Sequence, residues 1–244
     1  YAKNYISETN STENAFIEDG FLKIQPIYDI TNPFPDPYCS DKECQTTWEY
    51  TSARIITSSN KTVNPGNEIT VCFKVPDGTG HWPAIWMLPQ GFIEGNKTWP
   101  QDGEIDLMEA RGRVPQAIGA AIHFANSNNS NQYISHEVTV PMNVNFQDKF
   151  HSITFKWIED VIEMYLDTNS EPFYSEGKNS TPFNNANYPF NEEFYLLFNV
   201  ASGGNFDSNQ IDQSKYCNDE QCSNLSNPDK GRFIIDYIEI KSID

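Results

Sequence analysis

The sequence predicts an all-β fold, two packed sheets of jelly-roll type in one domain. Three observations predict it. Short runs rich in β-branched and aromatic residues follow one another, separated by Gly, Pro, Asn and Ser turns. No long stretch holds a helical period, so helices should be few. No repeat, low-complexity linker or change of composition divides the 244 residues, and a chain of that size buries roughly 70–75% of its unfolded surface, enough for one large core.

The strands read off in order. "AFIEDGFLKIQPI", "ARIIT", "EITVCFKVP" and "PAIWML" supply the first part of the chain. "EIDLMEA", "AIGAAIHF" and "YISHEVTVP" follow. "FHSITFKWI" and "VIEMYLD" meet at "IED", which reads as a hairpin turn. "FYLLFNVA" and "FIIDYIEIK" close the series. Two polar loops are long: "DITNPFPDPYCSDKECQTTWEY" and "NFDSNQIDQSKYCNDEQCSNLSNPDKG". Loops of that length usually serve function or move.

The formal charge is -18, which argues against a nucleic-acid partner, because proteins that bind a phosphate backbone are usually basic. It is compatible with a neutral substrate and keeps a secreted protein soluble. No apolar run approaches the ~18 residues of a membrane helix, so no membrane partner is expected. "YAKNYISETN" has no apolar signal region, as expected of a mature chain. Cys39 and Cys44, and Cys217 and Cys222, share the spacing C-x4-C in polar loops. Each pair could close a small loop or the pairs could cross-link; spacing does not choose. C-x4-C is not a common zinc spacing, and no histidine lies near either pair. Cys72, inside a strand-like run, reads as unpaired. N-x-S/T sequons at Asn10, Asn60, Asn96, Asn128, Asn179 and Asn224, together with loop cysteines, favour a secreted glycoprotein. A monomer is expected.

"DGEIDLMEARG" carries the chemistry. In a strand, residues two apart share a face. Glu104 and Asp106 therefore face one side and Ile105 and Leu107 the other, while strict parity would send Glu109 into the core. A β-bulge near Leu107–Met108 resets the parity and returns Glu109 to the side of the other acids. Three carboxylates on one face repel one another, so a use is expected: a divalent cation site, or acid and nucleophile chemistry. Glycoside hydrolysis with retention needs a carboxylate and a protonated carboxylic acid ~5–5.5 Å apart, and crowding keeps one acid protonated near neutral pH. Five strand residues span ~16 Å, so the tips meet only on a bulged, concave sheet. "GTGHWPAIWMLP" adds Trp82 and Trp86, and "TWPQDGEID" adds Trp99; tryptophan faces stack on sugar rings. His123 in "AAIHFAN" could reach the same groove from the next strand.

"HWPAIWMLP", "WPQDGEIDLMEARG", "FHSITFKWIEDVIEMYLD", "FYLLFNVASGGNF" and "RFIIDYIEIK" resemble, in order, the signature segments of glycoside hydrolase family 16, and most of all its laminarinase-like endo-1,3-β-glucanases. "YTSARIIT" and "EDGFLKI" fit the same family upstream. The resemblance covers essentially the whole chain, residues 1–244. It implies a β-jelly-roll sandwich of two antiparallel sheets with a concave glycan-binding cleft. It implies retaining endo-hydrolysis of β-1,3-linked glucan, laminarin-type or mixed-linkage, by double displacement. Glu104 matches the nucleophile, Glu109 the acid/base and Asp106 the helper acid. Trp82, Trp86, His123, Arg54 and Asn205 match substrate-binding positions of the cleft. No cofactor is implied for catalysis. A structural calcium is implied on the convex side, with Asp236 as carboxylate ligand and Gly20 as carbonyl ligand. The extra residue in the acid motif fits the laminarinase-like branch; the lichenase branch has one fewer.

Some positions depart from the family pattern. Against the family pattern, the first N-terminal strand before Tyr1 is expected to be missing, which would leave an edge unpaired. Ala53 stands where a glycine is usual, Phe206 where a tryptophan is, Ser202 for valine and Cys72 for arginine. A reading from another class is a non-hydrolytic β-glucan-recognition protein on the same fold, since relatives bind glucan after losing the catalytic glutamates. Here both glutamates and the aspartate are present, which favours the enzyme. A third reading, a cation-binding structural protein, predicts calcium at the trio itself.

Overall fold

The computed structural model describes residues 13–29, 34–35, 47–57, 61–180, 183 and 188–243. Cys39, Cys44, Asn10 and Asn60 lie outside them. The chain opens with a hairpin, β1 (Ala15–Glu18) and β2 (Phe21–Ile24). Its two-residue turn, Asp19 and Gly20, has positive φ at both positions (54° and 86°), the twist that suits right-handed strands. Two small ladders follow: β3 (Ile27–Tyr28) pairs with β6 (Tyr50–Thr51), and β4 (Phe34–Pro35) with β5 (Thr47–Trp48). Next come β7 (Arg54–Ile56), β8 (Thr62–Val63), β9 (Asn67–Lys74), β10 (His81–Pro89) and a helical turn at Gly91–Glu94. Then follow β11 (Glu104–Ala110), β12 (Ala117–Ala125), β13 (Asn131–Thr139), β14 (His151–Ile158), β15 (Val161–Leu166) and β16 (Tyr174–Gly177). β17 (Phe194–Ser202) and β18 (Phe233–Ser242) complete the set.

Two large antiparallel sheets result. One runs β1-β2-β18-β9-β14-β15-β16; the other runs β13-β12-β11-β10-β17-β7, with β8 also on β17. Every expected strand segment among the described residues forms, and "IED" does turn: Glu159 takes φ 50° between β14 and β15. Alternate side chains of facing strands fill the space between the sheets. Ile69, Val71 and Phe73 come from β9, Ile153, Phe155 and Trp157 from β14, all fully buried. They meet Ile85, Met87, Ile105 and Ile122 of the second sheet in one core cluster. Burial of each such side chain contributes about 1.5–3 kcal/mol.

The long C-terminal loop is tied down. Cys217 and Cys222 form a disulfide, and with Ile27 they make a small second cluster. The Tyr28 amide donates to the Cys217 carbonyl at 2.8 Å. Cys72 is free and buried on the outer side of β9. Burial, then the Asp236 charge, push its thiol up to about 11, so it stays protonated and unreactive. Among the described residues no helix is long and apolar enough to cross a membrane.

Candidate active site

β11 lies inside its sheet, between β10 and β12, so the ladders fix where each acid points. On the β12 side, Asp106 faces Ala121 and Glu109 faces Gly119, three residues against two. On the β10 side the same slip falls between Ile85 and Trp86. The bulge therefore sits at Leu107–Met108, where the broken alternation placed it. Both of those side chains are fully buried, so the extra residue adds core contact rather than exposing a loop. Glu104, Asp106 and Glu109 all line one cavity of about 300 Å³. Small residues opposite them, Gly119 and Ala121, leave the space open.

β10 supplies the wall. Trp82, Ala84 and Trp86 alternate onto the cavity face. The Trp82 indole Nε1 donates to Glu109 Oε1 at 2.8 Å. The Trp86 indole Nε1 donates to Asn199 Oδ1 at 2.7 Å. Both rings are thereby oriented by side chains of the floor. His123, opposite Glu104 in the β11–β12 ladder, brings Nε2 to 3.4 Å from Asp106 Oδ2 and 3.9 Å from Glu104 Oε1. Trp99 is 46% exposed, its ring 6.1 Å from that of His123, and its indole favours the ionised form of Glu104. It belongs to the groove, not the core.

The trio holds its protons tightly. Burial, followed by the charge of Glu109, pushes Glu104 up to about 7. Burial and both neighbouring carboxylates raise Asp106 well above the usual aspartate range. Burial raises Glu109 too, opposed by the Trp82 hydrogen bond. His123 is held below its ordinary value by burial, against the bond to Asn131, so it is a neutral ring beside the acids. The arrangement offers a carboxylate and carboxylic acids in one desolvated pocket, the pairing that acid-assisted displacement requires.

Arg54 stands opposite Asn199 in the β7–β17 ladder, on the face of Asn199 and therefore on the cleft side. Asn205 is exposed at the rim, while the backbones of Gly203 and Gly204 form the adjoining wall. Asn199 was missed in the sequence; a lone amide in the apolar run "FYLLFNVA" was its signal. Ala53 and Cys72 lie away from the cavity, Ala53 packing in the main core. Ser202 lines the cavity, and Phe206 stacks on Trp82.

On the other sheet, the β2–β18 ladder runs to Leu22 opposite Ile235. Asp236 and the Asp19–Gly20 turn follow directly, on the same end of the ladder. The β9–β18 register slips at Asp236, and the residue is exposed. One carboxylate and one turn carbonyl are part of the six to eight oxygens a calcium ion takes, so the residues fit such an ion in part. Among the described residues, the one group of three acidic or metal-ligating side chains drawn together is Glu104, Asp106 and His123.

A family model for glycosyl hydrolases family 16 matches residues 34–218. Glucan endo-1,3-beta-glucosidase A1 of Niallia circulans is 37% identical over 205 residues, covering 82% of this chain and 28% of that protein. Glucan endo-1,3-beta-glucosidase of Cryptopygus antarcticus is 32% identical over 202 residues, covering 81% of this chain and 68% of that protein. The chain thus spans only part of these relatives. The laminarinase catalytic domain from Thermotoga maritima MSB8 superposes with a TM-score of 0.76 at 28% identity, over 96% of this chain and 82% of that one. Sequence, two-sheet fold and acid strand agree: the chain belongs to glycosyl hydrolases family 16.

Proposed function

We propose that this chain is a retaining endo-1,3-β-glucanase acting on laminarin-type glucan, and that residues 1–244 form its single catalytic domain. One observation carries the reading: a bulged strand aims three proton-holding acids, Asp106 buried and the two glutamates half-buried, into one cavity lined by two tryptophans. The names of the relatives, endo-1,3-beta-glucosidases and a laminarinase, support the linkage. Glu104 attacks the anomeric carbon while Glu109 gives its proton to the departing glycosidic oxygen. Water then attacks the glycosyl-enzyme, Glu109 takes its proton, and the bond to Glu104 breaks. Asp106 keeps its proton and donates it to Glu104 in a hydrogen bond, which favours the ionised nucleophile. With Glu109 protonated, its repulsion of Glu104 is gone, and burial, the larger cause, is what the Asp106 hydrogen bond must then oppose. Trp82, Trp86 and His123 border the reacting sugar, with Arg54 and Asn205 further along the cleft. A non-hydrolytic glucan-binding protein has no need of this trio.

The chemistry uses the three acids alone. Away from it, Asp236 and the Gly20 carbonyl would hold a structural calcium. Secretion is supported by the Cys217–Cys222 bond and by the exposed asparagines of the four described sequons, Asn96, Asn128, Asn179 and Asn224. The protein acts as a monomer on a polysaccharide. The test is reducing-end release from laminarin and from mixed-linkage glucan, alongside Glu104→Ser. Release from laminarin that vanishes in the variant is the expected result. Binding without release in the unmodified protein would overturn the enzyme reading in favour of a recognition protein.

A further inference from the structure

Asp207 is a carboxylate with 1% of its side chain exposed, in a loop outside the acid trio. Its Oδ1 accepts from Arg113 Nε at 2.5 Å, and its other oxygen has no protein partner. Burying a carboxylate is costly, and the ion pair with the half-exposed Arg113 offsets that cost. The pair holds the short turn Asn205–Asp207. The middle residue of that turn, Phe206, stacks on Trp82 with centroids 5.0 Å apart and planes at 26°. Arg111 lies over the Phe206 ring at 5.4 Å. Gly204 presses on Trp82 from the same side: a Cβ there would stand 2.9 Å from the indole. The indole donates to Glu109.

Both arginines come from "RGR", the segment leaving the acid strand. Between them, Gly112 runs so close to the Gly78 carbonyl that a Cβ would lie 2.3 Å from its oxygen, so this exit path is fixed. The contacts close a ring. The strand that carries Glu109 ends in the loop that clamps the turn, the turn packs the tryptophan, and the tryptophan bonds to Glu109.

We propose that Asp207 and Arg113 are positioning residues for the proton-donating carboxyl of Glu109, acting through Phe206 and the Trp82 indole. The proposal rests on the reading of Glu109 as the acid/base. Asp207→Asn keeps the shape and removes the charge that Arg113 answers. Two substrates read its effect: laminarin, whose leaving oxygen needs a proton, and dinitrophenyl β-laminaribioside, whose phenolate leaves without one. The second is followed as the first-turnover burst of dinitrophenolate. Misplacing the acid should lower kcat on laminarin by about 10–100-fold and leave the burst rate near that of the unmodified protein. Phe206→Ala should give the same split, and Phe206→Trp should leave both substrates near the unmodified protein, because the stack is kept. Glu109→Gln is the reference and should show the split most strongly. If Asp207→Asn does not fold, Phe206→Ala carries the test. Equal losses on both substrates, or no loss on laminarin, in the folded variants would overturn the proposal while Glu109→Gln still shows the split. Equal losses in Glu109→Gln would overturn the reading of Glu109 itself.

Discussion

Burial, followed by Glu109, raises the Glu104 carboxyl from 4.5 to about 7, and the direction has a consequence for stability. Below pH 4.5 the group is protonated in both folded and unfolded chains. Between 4.5 and about 7 the unfolded chain ionises first, so stability falls as pH rises through that window and levels off above it. Glu104→Gln removes the ionisation. The variant should be inactive yet more stable than the parent by about 1–3 kcal/mol at pH 8, with little gain at pH 4. Thermal unfolding at the two pH values checks this; a gain that is the same at both would mean that the carboxyl is not desolvated. Trp82→Phe makes a second residue-level prediction. The indole bond favours the ionised form of Glu109, so its loss raises that pKa. The alkaline limb of the pH–rate profile should shift upward, and kcat should fall by roughly tenfold or more through poorer proton delivery. An alkaline limb that stays in place would show that Glu109 does not set it. The limbs belong to the coupled trio, Glu104 and Asp106 included, so both are read together.

At the scale of the element, the bulge makes a demand that can be tested by length. Asp106 pairs with Trp86 on one side and Ala121 on the other, while Glu109 pairs with Ala84 and Gly119. Each neighbour advances two residues where β11 advances three. Deleting Leu107 would make both ladders regular, and Glu109 would then follow Asp106 by two, on the same face. The deletion should destabilise the protein by about 2–5 kcal/mol, the loss of one buried side chain, and should keep measurable laminarin hydrolysis. Inserting one alanine after Asp106 should abolish activity, because a regular strand would then carry Glu109 on the same face but about 7 Å past its place at the cavity. A deletion variant that folds and is as dead as Glu104→Ser would refute this account of the bulge. The same strand shows what a sequence discloses. Periodicity marked the strands, and the misplaced Glu109 marked the bulge to within a residue, because parity is a local property. Two-residue ladders such as β3–β6 carry no period to read. Asn199 and the Asp207–Arg113 pair owe their places to contacts between distant segments, and no local pattern records these.

The whole molecule carries a formal charge of -18, and that field says something about the substrate that neither residue nor strand can. Concavity and cleft depth follow from how two twisted sheets pack, so composition was silent on them; charge was legible at once. A neutral glucan feels no long-range attraction or repulsion from an acidic protein, whereas a carboxylated glucan must approach a cleft whose floor is itself three carboxyl groups. Screening weakens that repulsion, the Debye length shrinking from ~30 Å at 0.01 M salt to ~8 Å at 0.15 M. Hence kcat/KM on laminarin should stay flat, within about twofold, between these salt concentrations, and kcat/KM on a carboxymethylated laminarin should rise by about tenfold. Over the same range Tm should increase, since salt relieves the self-repulsion of the folded chain. Initial rates on the two polymers at matched pH decide the matter. A laminarin rate that climbs with salt as steeply as the carboxymethylated one would remove electrostatics from the account of substrate choice. A carboxymethylated substrate preferred at low salt would show that cations along the cleft, Arg54 and Arg111 among them, outweigh the net charge at the site.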